Sequence, residues 1–229
     1  CMKHLAAALD TYEPGGYVVI ETNTVDFDPE DIDAVLTTRE LGKMIKQAGI
    51  EFNLLPDEDF DQIYGDSTGA AVIFGATGGV MEAALRTVAD ILSGQDLQTI
   101  EYNDVRGIEG VKEATVNVAG MDIKVAVAHG TANARKLMEK VRKGDSGYHF
   151  IEVMACPGGC VNGGGQPIVP ANVKMLKDVR TLRAKAIYDE DEAKVIRKSH
   201  QNPSIQRVYK EFFGEPGSHK AHELLHTHY

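Results

Sequence analysis

The chain has 229 residues, of which 43% are hydrophobic and 25% are charged, a composition typical of a globular protein with one sizeable domain or two small lobes. Its formal net charge of −10 argues against nucleic acid and anionic membranes as partners, because both bind basic surfaces. No apolar run approaches the roughly 20 residues that cross a bilayer. An acidic surplus also serves simply to keep a protein soluble.

The cysteine content is low, with Cys1, Cys156 and Cys160 only. A small secreted domain stabilised by disulfides would contain more, and no signal peptide is recognisable. We therefore expect a cytoplasmic, reducing location, where closely spaced cysteines bind metals more often than they form disulfides. The chain begins Cys1-Met2, which leaves open a processed end, a cut end or a piece of a longer protein.

The first elements alternate between helix and strand. Residues 5–9 predict an apolar helix, Tyr17–Glu21 predicts a strand, and residues 34–36 predict a short buried strand. Thr37 or Thr38 is expected to cap a following helix that runs through Lys46.

The middle of the chain continues this alternation up to the two paired cysteines. Its predicted elements are a strand at 72–74, a glycine turn at 75–79, a helix at 80–92 ended by Gly94, hairpin strands at 114–118 and 123–128, a helix at 133–142 and a buried strand at Phe150–Met154. Glu82 and Arg86 are four residues apart, a spacing that predicts an ion pair on the helix surface.

Strands that alternate with helices predict an α/β fold, a layered sheet with flanking helices. From about Thr181 the strand rhythm is absent, and the sequence is helical, charged and rich in histidine. We therefore predict two regions, residues 1–180 around the sheet and a helical C-terminal segment at 181–229.

The strongest chemical signal is the pair Cys156 and Cys160, which follows a buried strand and is surrounded by glycines. Thiolates are soft ligands suited to iron–sulfur clusters, zinc or copper. Glycines let the backbone approach a bulky inorganic group and point N–H groups at its sulfurs. A zinc site normally has a second pair of ligands, which is missing here. Two structural thiols in a glycine-rich loop are the alternative.

This stretch, EVMACPGGCVNGGGQP at residues 152–167, resembles the third signature motif of the iron-only, or [FeFe], hydrogenases almost residue for residue. Three more stretches are similar to that family. They are DIDAVLTTREL at 31–41, STGAAVIFGATGGVMEAALRT at 67–87, and the end of the chain from RKSH at 197–200 through AHELLHTH at 221–228.

The resemblance implies an H-cluster, a [4Fe–4S] cubane joined through a cysteine sulfur to a di-iron unit with CO, cyanide and dithiolate ligands. By motif position, Cys156 is implied as a cubane ligand and Cys160 as the ligand whose sulfur bridges to the di-iron unit. Met154 and Phe74 are implied to wall the di-iron pocket. Residues 1–180 would be the C-terminal lobe of the H-cluster domain, and 181–229 the region resembling the hydrogenase small subunit.

The sequence also departs from the family pattern. The first motif, TSCCP, which carries a cubane ligand and the proton-shuttling cysteine, is absent, and the second motif, MPCxxKK, is not present as such. Cys1 in the stretch CMKH is a candidate remnant of the second motif and thus a third cluster ligand. The alternative for Cys1 is an ordinary terminal thiol. We therefore expect this chain to need a complementary N-terminal hydrogenase segment or chain.

The expected activity is reversible H2 oxidation and proton reduction. No ferredoxin-type C-x2-C-x2-C run is present, so electrons are expected to come from a ferredoxin-like carrier or an accessory domain. The alternative is a non-catalytic, hydrogenase-like iron–sulfur protein for cluster assembly or sensing. A zinc-binding module based on His219, His222, His226 and His228 is a more distant alternative.

Overall fold

The structure, a computed structural model, describes residues 17–21, 36–58, 66–97, 101–107, 109–118 and 120–225. Cys1, the predicted helix at 5–9, and His226 and His228 lie outside these ranges. So does most of the predicted strand at 34–36, of which only Leu36 is described. Leu36 is exposed and belongs to no strand.

A mixed sheet of four strands forms the centre of the described part of the chain, in the order β1-β4-β3-β2. Its strands are β1 (Tyr17–Glu21), β2 (Val111–Val118), β3 (Met121–His129) and β4 (Phe150–Met154). β4 runs parallel to both β1 and β3, whereas β2 is antiparallel to β3. The carboxyl ends of β1, β4 and β3 therefore meet at one edge. The predicted hairpin and the predicted strands at 17–21 and 150–154 are confirmed.

The described residues outside the sheet contain eight α-helices. They are α1 (Thr38–Gln47), α2 (Gly69–Val72), α3 (Gly79–Ser93), α4 (Thr131–Arg142), α5 (Ala171–Lys174), α6 (Val179–Ala193), α7 (Pro203–Val208) and α8 (His219–Leu225). Short 3-10 turns lie at Phe52–Leu54, Ile73–Gly75, Asn103–Val105, Cys160–Asn162 and Ser199–Gln201, and a π turn, Tyr209–Phe213, extends α7. None of the described helices has the length and apolar character needed to span a membrane.

Two helix boundaries follow directly from local signals. The Thr37 side chain accepts a hydrogen bond from Glu40 N–H, and the Glu40 carboxylate accepts one from Thr37 N–H at 2.8 Å, which is a capping box. At the end of α3, Gly94 adopts a left-handed conformation with φ of 65°, as a C-terminal glycine commonly does. Both predicted caps are confirmed.

The strand predicted at residues 72–74 is wrong. Residues Gly69–Val72 form α2, and Ile73–Gly75 continue it as a 3-10 turn. Thr68 caps this helix by accepting a hydrogen bond from Ala71 N–H at 3.2 Å. A short apolar run bounded by glycines is compatible with either a buried strand or a buried helix, and here the cap and the packing of the segment select the helix.

The hydrophobic core lies on both faces of the sheet. On one face, Val125 and Val127 of β3 pack with Met81 and Leu85 of α3. On the other face, alternate residues of β3 and β4 pack with Leu137 of α4. The sheet therefore lies between α3 and α4, which confirms the predicted α/β class with flanking helices.

Buried ion pairs attach the C-terminal segment to α3. The Arg86 guanidinium donates to both carboxylate oxygens of Asp191 at 2.8 Å and to Glu82 at 2.9 Å, and all three side chains are fully buried. Lys198 binds Asp90 at 2.7 Å further along the same helix. The Glu82–Arg86 pair was predicted at the surface, and that prediction is wrong because α6 covers it.

Arg86→Met should lower the free energy of unfolding by about 3–5 kcal/mol, because it leaves buried carboxylates short of their counter-charge. Urea unfolding of the purified protein measures this. The control is Arg135→Met, which removes an exposed pair to Glu139 at 3.6 Å and should change stability by less than about 0.5 kcal/mol. Equal effects of the two substitutions would contradict this account of how the C-terminal segment docks.

Candidate functional site

Cys156 and Cys160 lie on one loop at the carboxyl edge of the sheet. Strand β4 ends at Met154, and Cys160 begins the 3-10 turn Cys160–Asn162. Both cysteines are partly exposed. The sequence-based expectation that β4 delivers the two thiols to one loop at a strand end is confirmed; their function as ligands stays a prediction.

Backbone hydrogen bonds fold this cysteine loop, residues 155–165, back on itself. Gly159 N–H donates to Cys156 C=O at 2.9 Å, and Gly163 N–H donates to Cys160 C=O at 2.9 Å. A Cβ atom added to Gly163 would lie 3.8 Å from Cys156 Sγ. The glycine run thus brings bare backbone next to the first thiol.

The cysteine loop packs tightly against residues 75–77. Thr77 N–H donates to Gly158 C=O at 3.2 Å. Gly159 has a φ of +96°, and a Cβ atom there would lie 2.6 Å from Gly75 O and 2.7 Å from Thr77 N. Only glycine tolerates both the left-handed conformation and this approach. The loop between the two cysteines is therefore seated directly on the segment that precedes α3.

The two predicted wall residues precede, along the chain, the two segments that form this contact. Phe74 belongs to the 3-10 turn before α3 and is 37% exposed, whereas Met154 at the end of β4 is 2% exposed. The fold therefore brings Phe74, Met154, Cys156 and Cys160 into one region. Cys1 lies outside the described residues.

Two buried ionisable side chains that the sequence analysis did not single out, Glu152 and Lys112, contact the backbone that supports the loop. The Glu152 carboxylate is fully buried and accepts hydrogen bonds from Gly78 N–H at 2.6 Å and Met81 N–H at 2.7 Å. The Lys112 ammonium donates to the carbonyls of Val105, Gly107 and Thr77 at 2.6, 2.9 and 3.3 Å. The sequence did contain a signal for this buried carboxylate, because a glutamate interrupts the otherwise apolar strand FIEVM.

Burial dominates the electrostatics of these groups. It raises the pKa of Glu152, against the opposing effect of the two N–H donors and Lys112. It lowers the pKa of Lys112 to about 8, while Glu152 and Glu109 oppose the change. It also lowers the pKa of His129 at the end of β3, and the positive charges of Lys112 and Arg180 add to that effect.

Unpaired polar atoms and a cleft adjoin the same place. His129 Nδ1 and Thr77 Oγ1 are buried and have no hydrogen-bond partner within the described part of the chain. A cleft of about 230 Å³ lies between the cysteine loop and α6, and Thr77, Gly158 and Tyr188 contribute to its lining. The guanidinium of Arg106 stacks 4.3 Å from the centre of the Tyr188 ring. The α6 side of the loop is therefore partly open, and these two polar atoms lie near it.

The site's ligand set is small. No group of three or more His, Cys, Asp or Glu side chains is arranged to hold a metal among the residues that the structure describes. His219 and His222 lie on α8, but the other two histidines of the zinc hypothesis are not described. The described residues thus offer two thiols beside a glycine backbone, a donor set that fits part of an iron–sulfur site.

Two family models match this chain. Residues 20–164 match the model described as iron only hydrogenase large subunit, C-terminal domain. Residues 177–229 match the model described as iron hydrogenase small subunit. The division after residue 180 stays a prediction, and helix α6 crosses that position.

Curated relatives fall into two groups. The chain is 51% identical over 199 residues to the NADP-reducing hydrogenase subunit HndD of Solidesulfovibrio fructosivorans, covering 87% of this chain and 33% of that protein. It is 50% identical over 199 residues to iron hydrogenase 1 of Clostridium pasteurianum, covering 87% and 35%. It is 31% identical over 210 residues to protein NAR1 of Arabidopsis thaliana, covering 89% and 43%.

Solved structures of [FeFe]-hydrogenases also match this chain. A variant of the [FeFe]-hydrogenase HydA1 from Chlamydomonas reinhardtii matches with a TM-score of 0.68 and 40% identity, over 90% of this chain and 57% of that one. The chain thus spans about a third of the length of the curated hydrogenases. With the matched family models, the shared fold and the cysteine loop in place, the chain belongs to the iron-only hydrogenase family.

Proposed function

We propose that this chain is part of an iron-only hydrogenase that catalyses reversible H2 oxidation and proton reduction. The observation that carries the proposal is the cysteine loop, where two thiols of the family motif lie together beside bare glycine backbone at the carboxyl edge of the sheet. When bound, a di-iron unit linked to a [4Fe–4S] cluster supplies the exchange of two protons and two electrons with H2.

In this proposal Cys156 would hold the cubane, and Cys160 would hold both the cubane and the di-iron unit. Thiolates are the ligands that such clusters require. Met154 and Phe74 would supply apolar wall, because a dry surface protects the bound group from water. Phe74 retains exposed ring surface with which to make that contact.

A complementary N-terminal hydrogenase segment or chain completes the site in this proposal. A cubane needs four cysteine ligands, but the sequence contains only three cysteines. Helix α1 buries none of its residues, and apolar side chains on and after it remain exposed, including Met44 at 50%, Phe52 at 65% and Leu54 at 76%. An exposed apolar surface of this kind is typical of a docking face.

The electron partner in this proposal is a ferredoxin-like carrier with an acidic surface. Two arginines of α6 lie against the cysteine loop, although the chain as a whole is acidic. A Cβ atom at Gly158 would lie 3.3 Å from Arg180 Cδ, and Arg183 donates to Val161 C=O at 3.0 Å and to Pro167 C=O at 2.9 Å. Because Arg180 also pairs with Asp178 at 3.3 Å, it is Arg183 that would supply positive charge at this edge and steer an acidic carrier toward the cluster.

A second candidate function is non-catalytic cluster assembly or sensing. Proteins named for cytosolic iron–sulfur assembly share the fold family, such as cytosolic iron-sulfur assembly component 3 of Bos taurus at 30% identity over 206 residues. The higher identity to the named hydrogenases, 51% and 50%, favours catalysis. The cytoplasmic location stays a prediction, since one hydrogenase relative is named periplasmic.

The chain alone should evolve no hydrogen from reduced methyl viologen, because its ligand set is incomplete. Supplied with the complementary segment and the maturation machinery, the assembled protein should evolve hydrogen. Full activity of the isolated 229 residues would contradict the incomplete site. A properly loaded but inactive assembly would favour the assembly or sensing function.

Cys160→Ser in the assembled protein should abolish the infrared bands of CO and cyanide, because the bridging thiolate is lost. Cys1→Ser, at the candidate third ligand position, should have a smaller effect on the same bands. If the bands and the activity survive Cys160→Ser, the assigned function of Cys160 is wrong.

Gly159→Ala should lower the free energy of unfolding by about 2 kcal/mol or more, because alanine is strained at this φ and its Cβ meets the backbone of residues 75–77. The displaced loop should also bind less iron in the assembled protein. Gly164→Ala is the control, since nothing lies within 4 Å of its added Cβ, and it should change stability by less than about 0.5 kcal/mol. Denaturant unfolding and iron analysis measure both effects.

A further inference from the structure

Glu152 is an ionisable side chain in the interior of the sheet, where burial raises its pKa. It lies in the middle of β4 and is fully buried. Burying a carboxylate is unfavourable unless hydrogen bonds and an opposite charge compensate for the lost water. Glu152 is not among the proposed cluster ligands, so its burial requires another explanation.

The partners of Glu152 all belong to the segment that supports the cysteine loop. Each carboxylate oxygen accepts one N–H, Oε1 from Gly78 and Oε2 from Met81. These N–H groups open α3, where the helix dipole favours a negative charge. Both oxygens therefore face donors, an arrangement that stabilises the ionised form.

Lys112 of β2 contacts the same backbone segment as Glu152. Val127 of β3 is the register partner of both Lys112 in β2 and Glu152 in β4, so the two charged side chains extend from one row across the sheet, on one face. The Lys112 ammonium holds the carbonyl of Thr77. Glu152 thus accepts hydrogen bonds from residues 78 and 81, and Lys112 donates one to residue 77.

The segment at residues 75–77 also contacts the loop between the two cysteines. Thr77 N–H donates to Gly158 C=O, and Gly159 lies against Gly75 and Thr77. Glu152 is therefore connected to the cysteine loop through one short backbone segment. A change at Glu152 would be transmitted to the position of both thiols.

We propose that Glu152 is a positioning residue of the cluster site, which holds the start of α3 against the cysteine loop and lowers the reduction potential of the cluster bound there. This inference rests on the proposed function. A buried negative charge disfavours the addition of an electron to a nearby cluster, because the protein interior screens charges weakly. Removing that charge would also leave the positive charge of Lys112 less compensated, which acts in the same direction.

The test compares three substitutions in the chain assembled with its complement and loaded with the [4Fe–4S] cluster alone. Glu152→Gln removes the charge and keeps the shape. Glu152→Asp keeps the charge and shortens the side chain. Asp90→Asn is the matched control, because Asp90 is a buried carboxylate paired with Lys198 on the same helix, about 16 Å further along α3 than Gly79 at 1.5 Å per residue.

Redox titration followed by electron paramagnetic resonance gives the first readout. Glu152→Gln should raise the equilibrium constant for cluster reduction at least tenfold, a shift of about 59 mV to higher potential for one electron. Glu152→Asp and Asp90→Asn should each change it less than threefold. A shift in Glu152→Gln no larger than in Asp90→Asn would overturn the electrostatic part of the proposal.

Amide hydrogen exchange on the 229-residue chain without a cluster gives the second readout. Both Glu152 variants should accelerate exchange at Gly78, Met81 and Thr77 at least tenfold, whereas Asp90→Asn should not. Unchanged protection in both Glu152 variants would overturn the positioning part. If the wild-type assembly binds no cluster, the proposed function fails, but the exchange measurement still decides whether Glu152 positions the loop.

Discussion

The close approach of the Gly158–Gly159 turn to the backbone of residues 75–77 is the constraint on which the site depends. It lets the loop after β4 lie flat on the segment before α3, so that the two thiols and the turn carrying Phe74 share one region. Side chains would separate these backbones. The buried Glu152 carboxylate and Lys112 ammonium form hydrogen bonds to the same segment. The segment is therefore held both by the cysteine loop and by these two side chains.

The C-terminal segment depends on charge in a different way. Asp191 of α6 and Lys198 beyond it reach α3 through fully or largely buried ion pairs with Arg86 and Asp90. Such pairs require accurate geometry and penalise partial docking. Because α6 also lies against the cysteine loop through Arg183, the segment that matches the small-subunit model is built into the surroundings of the site.

The chain is similar both to proteins named as hydrogenases and to proteins named for iron–sulfur assembly. In this chain a glycine-rich loop presents two cysteines at the carboxyl edge of the sheet. The exposed apolar side chains of α1 and of the turn Phe52–Leu54 form the surface on which we propose that a complementary hydrogenase segment packs.

The sequence by itself determined the features that local interactions decide: the Thr37 capping box, the Gly94 helix end, the hairpin, and strand β4 with the cysteines that follow it. The family was also evident from the motif at 152–167. The tertiary structure decided that residues 72–74 are helical and that Glu82, Arg86 and Glu152 are buried with partners. Caps and turns act over a few residues, whereas Arg86 meets Asp191 across 105 positions and Glu152 meets Gly78 across 74. Burial of a charge depends on such distant partners, which no local pattern specifies.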